Sequence, residues 1–280
     1  MTRKSNLRSR VLLLELDSLS LPFIRSNLDQ LPTLKNLLKT GGLIEAESTG
    51  HIASASVWPT FATGFLREHL GHYFPFQWHP EKMRFFRPYR NAWRGALLYE
   101  PFWYPLARDG FDCLVLDAVQ CVPMSHSPCL EINDWSAQSS GRAQVSEPGV
   151  LKELRKRFGR NPIGPEITVS KSRKQSERLL EKVLDSLCRK TDALIWLGTS
   201  RLWQFYLASI QDVHRAGHNL WTPLAGAMGS SPHCATSCLQ QYSSAPTACW
   251  ERTYRTGSST MSTWALEMEK DAFHPHPQRR

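Results

Sequence analysis

The stretch Val11-Leu12-Leu13-Leu14-Glu15-Leu16-Asp17 decides the fold. It is a short apolar run that ends on a carboxylate and passes into Ser18, Leu19, Ser20 and Pro22. That is the pattern of a buried strand delivering its last residues to a loop. Leu28, Leu31, Leu34, Leu37 and Leu38 then recur at helical spacing, with Pro32 near a helix start and Gly41-Gly42 as a stop. A strand followed by a helix is how an α/β domain begins.

The same order recurs downstream. Phe102 to Arg108 reads as helical, Gly110 breaks it, and Cys113-Leu114-Val115-Leu116 forms a second buried strand ending at Asp117. Leu151, Leu154 and Phe158 mark another helix, so the basic residues from Lys152 to Arg160 read as its solvated face. Between Lys171 and Lys190 lies the clearest helical pattern. Leu179, Leu180, Val183, Leu184 and Leu187 make its apolar stripe, and Glu177 to Glu181 and Lys182 to Ser186 keep the other face wet.

Two apolar runs follow, Ala193 to Leu197 and Phe205 to Ile210. The gap between them is too short for a helical crossover between parallel strands, which needs about a dozen residues. From Thr222 onward the periodicity fades into Ser/Thr-rich sequence that contains Cys234, Cys238 and Cys249 and ends in a His-Pro-His-Pro segment. The chain therefore divides into an α/β domain over 1–221 and an irregular tail over 222–280.

Composition bounds the function. With 280 residues, 41% hydrophobic and 21% charged, the chain is globular material with enough apolar residues for a sizeable core. A net charge of +9 suits nucleic acid, a membrane surface or a phosphorylated substrate. The basic residues are scattered, however, and no nucleic-acid motif is present. The seven cysteines show neither a CxxC pair nor regular spacing. This argues against a zinc ribbon or a disulfide framework and fits reduced thiols in a cytoplasmic protein. Arg3 to Arg10 followed by Val11 imitates a secretory leader, but Glu15 and Asp17 interrupt the apolar run too early. No apolar stretch approaches the ~20 residues of a membrane span.

Three constellations carry possible chemistry. Asp17 closes a buried strand, where ligands of open α/β sheets gather, and reads either as a metal ligand or as a turn or N-cap aspartate. Ser54 and Ser56 lie in Ala53-Ser54-Ala55-Ser56-Val57-Trp58-Pro59-Thr60-Phe61-Ala62-Thr63-Gly64, which leads small hydroxyl residues into an apolar helical turn. Such a serine gains from the helix dipole and can act as a nucleophile, or it can simply cap the helix. His214 and His218 are four positions apart, so their rings share one face of a helix; the pair is short of the three protein ligands zinc normally takes.

Taken together and in this order, these segments resemble the type I phosphodiesterase and nucleotide pyrophosphatase family of the alkaline phosphatase superfamily. The likeness runs over residues 11–221 and includes Leu70 to Trp78. It implies an alkaline phosphatase-like α/β fold, a largely parallel sheet flanked by helices, and a hydrolase of phosphate diesters or pyrophosphates that uses two zinc ions and a covalent phospho-enzyme. Its small-molecule substrate is a phosphate ester. By the resemblance, Ser54 is the nucleophile with Ser56 as runner-up. Asp17 and His218 match metal ligands, and His214 stands where many members carry an aspartate ligand.

The likeness also has departures. The family continues to an Asp-His-Gly motif and a final histidine ligand, and neither follows Trp221 here. The two apolar runs before Asp212 depart from the single strand the family uses. The resemblance thus implies a truncated catalytic domain with an aberrant tail and an incomplete metal shell. A non-catalytic pseudoenzyme or interaction domain on the same scaffold is the competing reading. Sulfatases share the architecture but require a Cys/Ser-x-Pro-x-Arg signature that the Ser54 region lacks.

Overall fold

The apolar run that opens the chain forms strand β1 (Arg10–Leu16) in the computed structural model. The structure describes residues 10–19, 21–46, 48, 50, 54–74, 76–86, 99–121, 123, 126–137, 142–164, 173–220 and 261–266, the last segment together with Ser54 and Arg173 by backbone alone. After β1 come helices α1 (Leu21–Ser26), α2 (Pro32–Thr40), α3 (Val57–Thr63) and α4 (Arg67–Leu70). A two-stranded hairpin, β2 (Gln77–His79) and β3 (Arg84–Phe86), precedes α5 (Trp103–Arg108) and β4 (Cys113–Leu116). Then follow β5 (Leu130–Asn133), β6 (Gln144–Val145), α6 (Pro148–Phe158), α7 (Arg173–Ser200), β7 (Phe205–Ile210), α8 (Asp212–Leu220) and β8 (Met261–Leu266).

Six strands make the main sheet in the order β6-β5-β4-β7-β1-β8. All neighbours are parallel except β5 and β6. The register pairs Leu14 with Ala208 across β1 and β7, and Ala208 with Leu116 across β7 and β4. Successive strand residues point to opposite faces, so this register sorts the core into two layers. On one face Leu12, Leu114, Leu116, Ile132, Tyr206 and Ala208 pack with Val150 and Leu154 of α6 and with Ala193, Leu194 and Leu197 of α7. On the other, Cys113, Val115, Phe205 and Leu207 pack with Ala62 of α3 and Trp103 and Tyr104 of α5. Helices on both faces are why β4 and β7 are apolar at nearly every position.

A buried carboxylate fixes α5 to the sheet. Trp103 Nε1 donates to Glu131 Oε1 at 2.6 Å and the Tyr104 hydroxyl donates to Glu131 Oε2 at 2.8 Å. Burial raises the Glu131 pKa, with these hydrogen bonds acting in the opposite direction.

The structure differs from the sequence reading at three points. Ala193 to Leu197 is not a strand: α7 runs unbroken to Ser200, and Val183, Leu187, Leu194 and Leu197 are buried along one stripe. A five-residue apolar run has no period of its own, and only its phase with the preceding stripe reveals the helix. One strand, β7, precedes α8. Ser186, read as part of the wet face of this helix, is fully buried. In the segment read as an irregular tail, the backbone of Met261–Leu266 pairs in parallel with β1, Arg10 opposite Met261. Its sequence lacks polar–apolar alternation, which hides a strand from pattern reading. The remainder of 222–280 lies outside the described residues.

Candidate active site

The site is built where two parallel strands end together. Leu16 and Ile210 are register partners, and the Asp17 amide extends the ladder by donating to the Ile210 carbonyl at 3.0 Å. Asp17 therefore leaves β1 at the level where α8 begins at Asp212. His214 sits in the first turn of α8, and Asp17 Oδ2 lies 3.0 Å from its Nδ1. Both side chains are buried. The Ser18 hydroxyl lies 2.7 Å from the same nitrogen. Ser18 has φ 64, a left-handed conformation uncommon outside glycine, and this turns its hydroxyl back onto the ring.

Because Asp17 and Ser18 both meet Nδ1, this is not a nucleophile–base–carboxylate relay, which needs the hydroxyl and the carboxylate on opposite ring nitrogens. Nδ1–H donation to the carboxylate leaves Nε2 as the lone-pair donor, the arrangement that orients metal-binding histidines. His214 Nε2 is buried and has no hydrogen-bond partner among the described residues. His218 lies one turn on, its ring centroid 4.4 Å from that of His214, with its side chain toward solvent. The helical spacing thus brings the two imidazoles together as their separation in sequence requires.

His214 thus contacts Asp17 on one side and His218 on the other. The carboxylate and imidazole donors suit zinc, and the buried Nε2 suits a metal bond. Among the described residues, however, no group of three or more His, Cys, Asp or Glu side chains is arranged to hold a metal ion. The Ser54–Ser56 backbone forms a 3-10 turn leading into α3, whereas the Ser54 side chain lies outside the described residues. Ser56 is fully buried at the N-cap of α3 and makes no capping hydrogen bond.

A buried charge cluster at the same strand ends escaped the sequence reading. Asp117 follows β4 with φ 55. Its Oδ1 accepts the Trp135 amide at 2.8 Å, and its Oδ2 accepts the Ser136 amide at 2.9 Å. Lys190 of α7 lies 2.9 Å from Asp117 Oδ2 and also donates to the Ser136 carbonyl at 3.0 Å. Burial raises the Asp212 pKa, opposed by the Lys190 charge, the Ser186 hydroxyl and the Arg215 charge. Glu15 is pushed up to about 8 by burial, with the Ser209 hydroxyl opposing and the Asp17 charge reinforcing. Asp117 ends an apolar run just as Asp17 does, and Lys190 falls between Leu187 and Leu194 on the apolar stripe. Those two signals were present in the sequence.

The mainly parallel sheet carries Asp17 and, at the start of α8, His214 beyond its carboxyl ends, where the ligands of open α/β sheets gather. The fold is alkaline phosphatase-like, a mainly parallel sheet flanked by helices. Phosphonoacetate hydrolase from Sinorhizobium meliloti shares this fold with a TM-score of 0.55. Its complex with phosphonoformate is 15% identical over 88% of this chain and 54% of that chain. Its complex with phosphonoacetate gives the same score and coverage at 16% identity. Murine ectonucleotide pyrophosphatase/phosphodiesterase 5 aligns at a TM-score of 0.46 and 12% identity, over 88% of this chain and 53% of that chain. The chain thus spans about half the length of the solved structures it matches. No protein-family model and no curated protein sequence matches it.

Proposed function

We propose that the chain is a metal-dependent hydrolase of phosphate diesters or pyrophosphates, of the type I phosphodiesterase and nucleotide pyrophosphatase kind. The observation that carries this reading is the contact of Asp17 with His214 Nδ1 at the ends of two adjacent parallel strands, with Nε2 left buried and available. Asp17, His214 and His218 would hold zinc, with Asp17 also orienting His214. Zinc bound there would neutralise charge on the phosphoryl oxygens and favour the alkoxide of the nucleophilic serine. Ser54, or Ser56 as runner-up, attacks phosphorus in line, the alcohol or phosphate leaves, and water then cleaves the phosphoserine. The substrate is a small phosphate ester.

The absence of a three-donor group among the described residues favours a second reading, a pseudoenzyme or interaction domain on the same scaffold. One experiment separates the two. Purified chain is loaded with zinc, its bound metal is counted by mass spectrometry, and hydrolysis of a bis-nitrophenyl phosphodiester is followed for wild type, Ser54→Ala and Ser56→Ala. Bound zinc with turnover that one serine variant abolishes supports the hydrolase. No bound zinc and no turnover support the pseudoenzyme.

A further inference from the structure

The hairpin β2–β3 presents two unlike faces. Trp78 and Phe85 are register partners and meet edge to face, 5.2 Å between centroids, with 47% and 67% of their surface exposed. Gln77 and Phe86, the next pair, are half-buried. The turn between the strands adds Met83, 73% exposed and held at φ 46, with Lys82 and Arg84 exposed on either side of it. A two-stranded ribbon gains little stability by itself, so a ribbon that turns a Trp, a Phe and a Met outward spends apolar surface on solvent with no return from folding. An aromatic pair and a Met exposed together on one short ribbon point to an interaction site.

The residue types identify the partner. Trp at the boundary of an apolar tip, flanked by Lys and Arg whose stems can lie along apolar surface while their heads stay in water, is the chemistry of the membrane–water interface. The net charge of +9 supplies attraction to an anionic surface. No described helix is long and apolar enough to cross a membrane. We infer that the β2–β3 hairpin docks the protein on an anionic lipid surface, inserting Trp78, Met83 and Phe85 at headgroup level while Lys82 and Arg84 meet lipid phosphates and carboxylates. Nucleic acid fits less well, because edge-to-face closure of Trp78 and Phe85 removes the parallel platform on which bases stack.

The test is cosedimentation of the full chain with phosphatidylcholine vesicles, with and without phosphatidylserine. Wild type is expected to pellet with the anionic vesicles and to remain in solution with the neutral ones. Trp78→Ala/Phe85→Ala should lower the partition coefficient by about tenfold. Lys82→Gln/Arg84→Gln, which removes only two exposed charges and keeps the apolar tip, should lower it by about twentyfold on vesicles containing phosphatidylserine. Unchanged thermal unfolding midpoints certify the fold of each variant. Equal binding of wild type and the charge variant to anionic vesicles overturns the inference. So does hairpin-dependent binding of a single-stranded oligonucleotide, or a hairpin-dependent dimer in light scattering, without any binding to vesicles.

Discussion

Lys190 Nζ and Asp117 Oδ2 lie 2.9 Å apart with both side chains buried, joining the middle of α7 to the end of β4. Two backbone amides and one ammonium engage both oxygens of the Asp117 carboxylate, so the pair holds the loop after β4 in the left-handed conformation at which Asp117 sits. Removing one partner of a buried pair leaves an uncompensated charge. Lys190→Ala should therefore cost about 3–5 kcal/mol in urea unfolding. Lys190→Met with Asp117→Asn, which removes both charges together, should cost clearly less than the two single changes summed. Additive costs would show that the two groups are not coupled.

Asp17 holds the ring of His214 rather than standing apart from it. Asp17→Asn keeps the shape but loses the charge that fixes the Nδ1–H tautomer. Zinc affinity by competition with a chromophoric chelator should fall about 10–100-fold, as for other partners that orient a ligating histidine. His218→Ala should weaken zinc further, while retention of full affinity would remove His218 from the ligand set.

Glu131 contributes a pH dependence to stability that a single substitution can isolate. Its folded pKa is raised by burial, so it binds a proton more tightly folded than unfolded. The stability tied to its protonated form is complete below the ordinary carboxylate range and is lost as pH rises through the raised folded value. Glu131→Gln keeps an acceptor for Trp103 or Tyr104 and cannot ionise. Urea midpoints of wild type should fall from weakly acidic toward neutral pH more steeply than those of the variant, and parallel curves would refute the assignment.

The helical course of Ala193 to Leu197 is also testable. Leu197 is fully buried against the sheet, whereas Leu202 in the following connection is 90% exposed. Leu197→Ala should cost about 2–5 kcal/mol, the usual range for a truncated core leucine. Leu202→Ala should change stability by less than about 0.5 kcal/mol.

These relationships show what pattern reading reached. Residues with strong periodicity were legible: β1, β4, α2, the first part of α7 and β7 all announce themselves by runs or stripes. The turn from β1 into Asp17 and the spacing of His214 and His218 were legible too, because each depends on residues close together in the chain. Ala193 to Leu197 was misread because an apolar run of that length packs equally well as helix or strand. The strand at Met261–Leu266 escaped because it lacks alternation.

The sequence by itself determined the alternation of strand and helix, the carboxylate at the end of β1 and the separation of the two imidazoles, since hydrophobic period and turn chemistry are local properties. Only the tertiary structure decided that Asp17 and Ser18 share Nδ1 of His214, that Lys190 enters the core to meet Asp117, and that Trp78 and Phe85 face outward. Those contacts depend on strand register and helix packing, which bring distant segments to within hydrogen-bond reach and leave no trace in the spacing of residues along the chain.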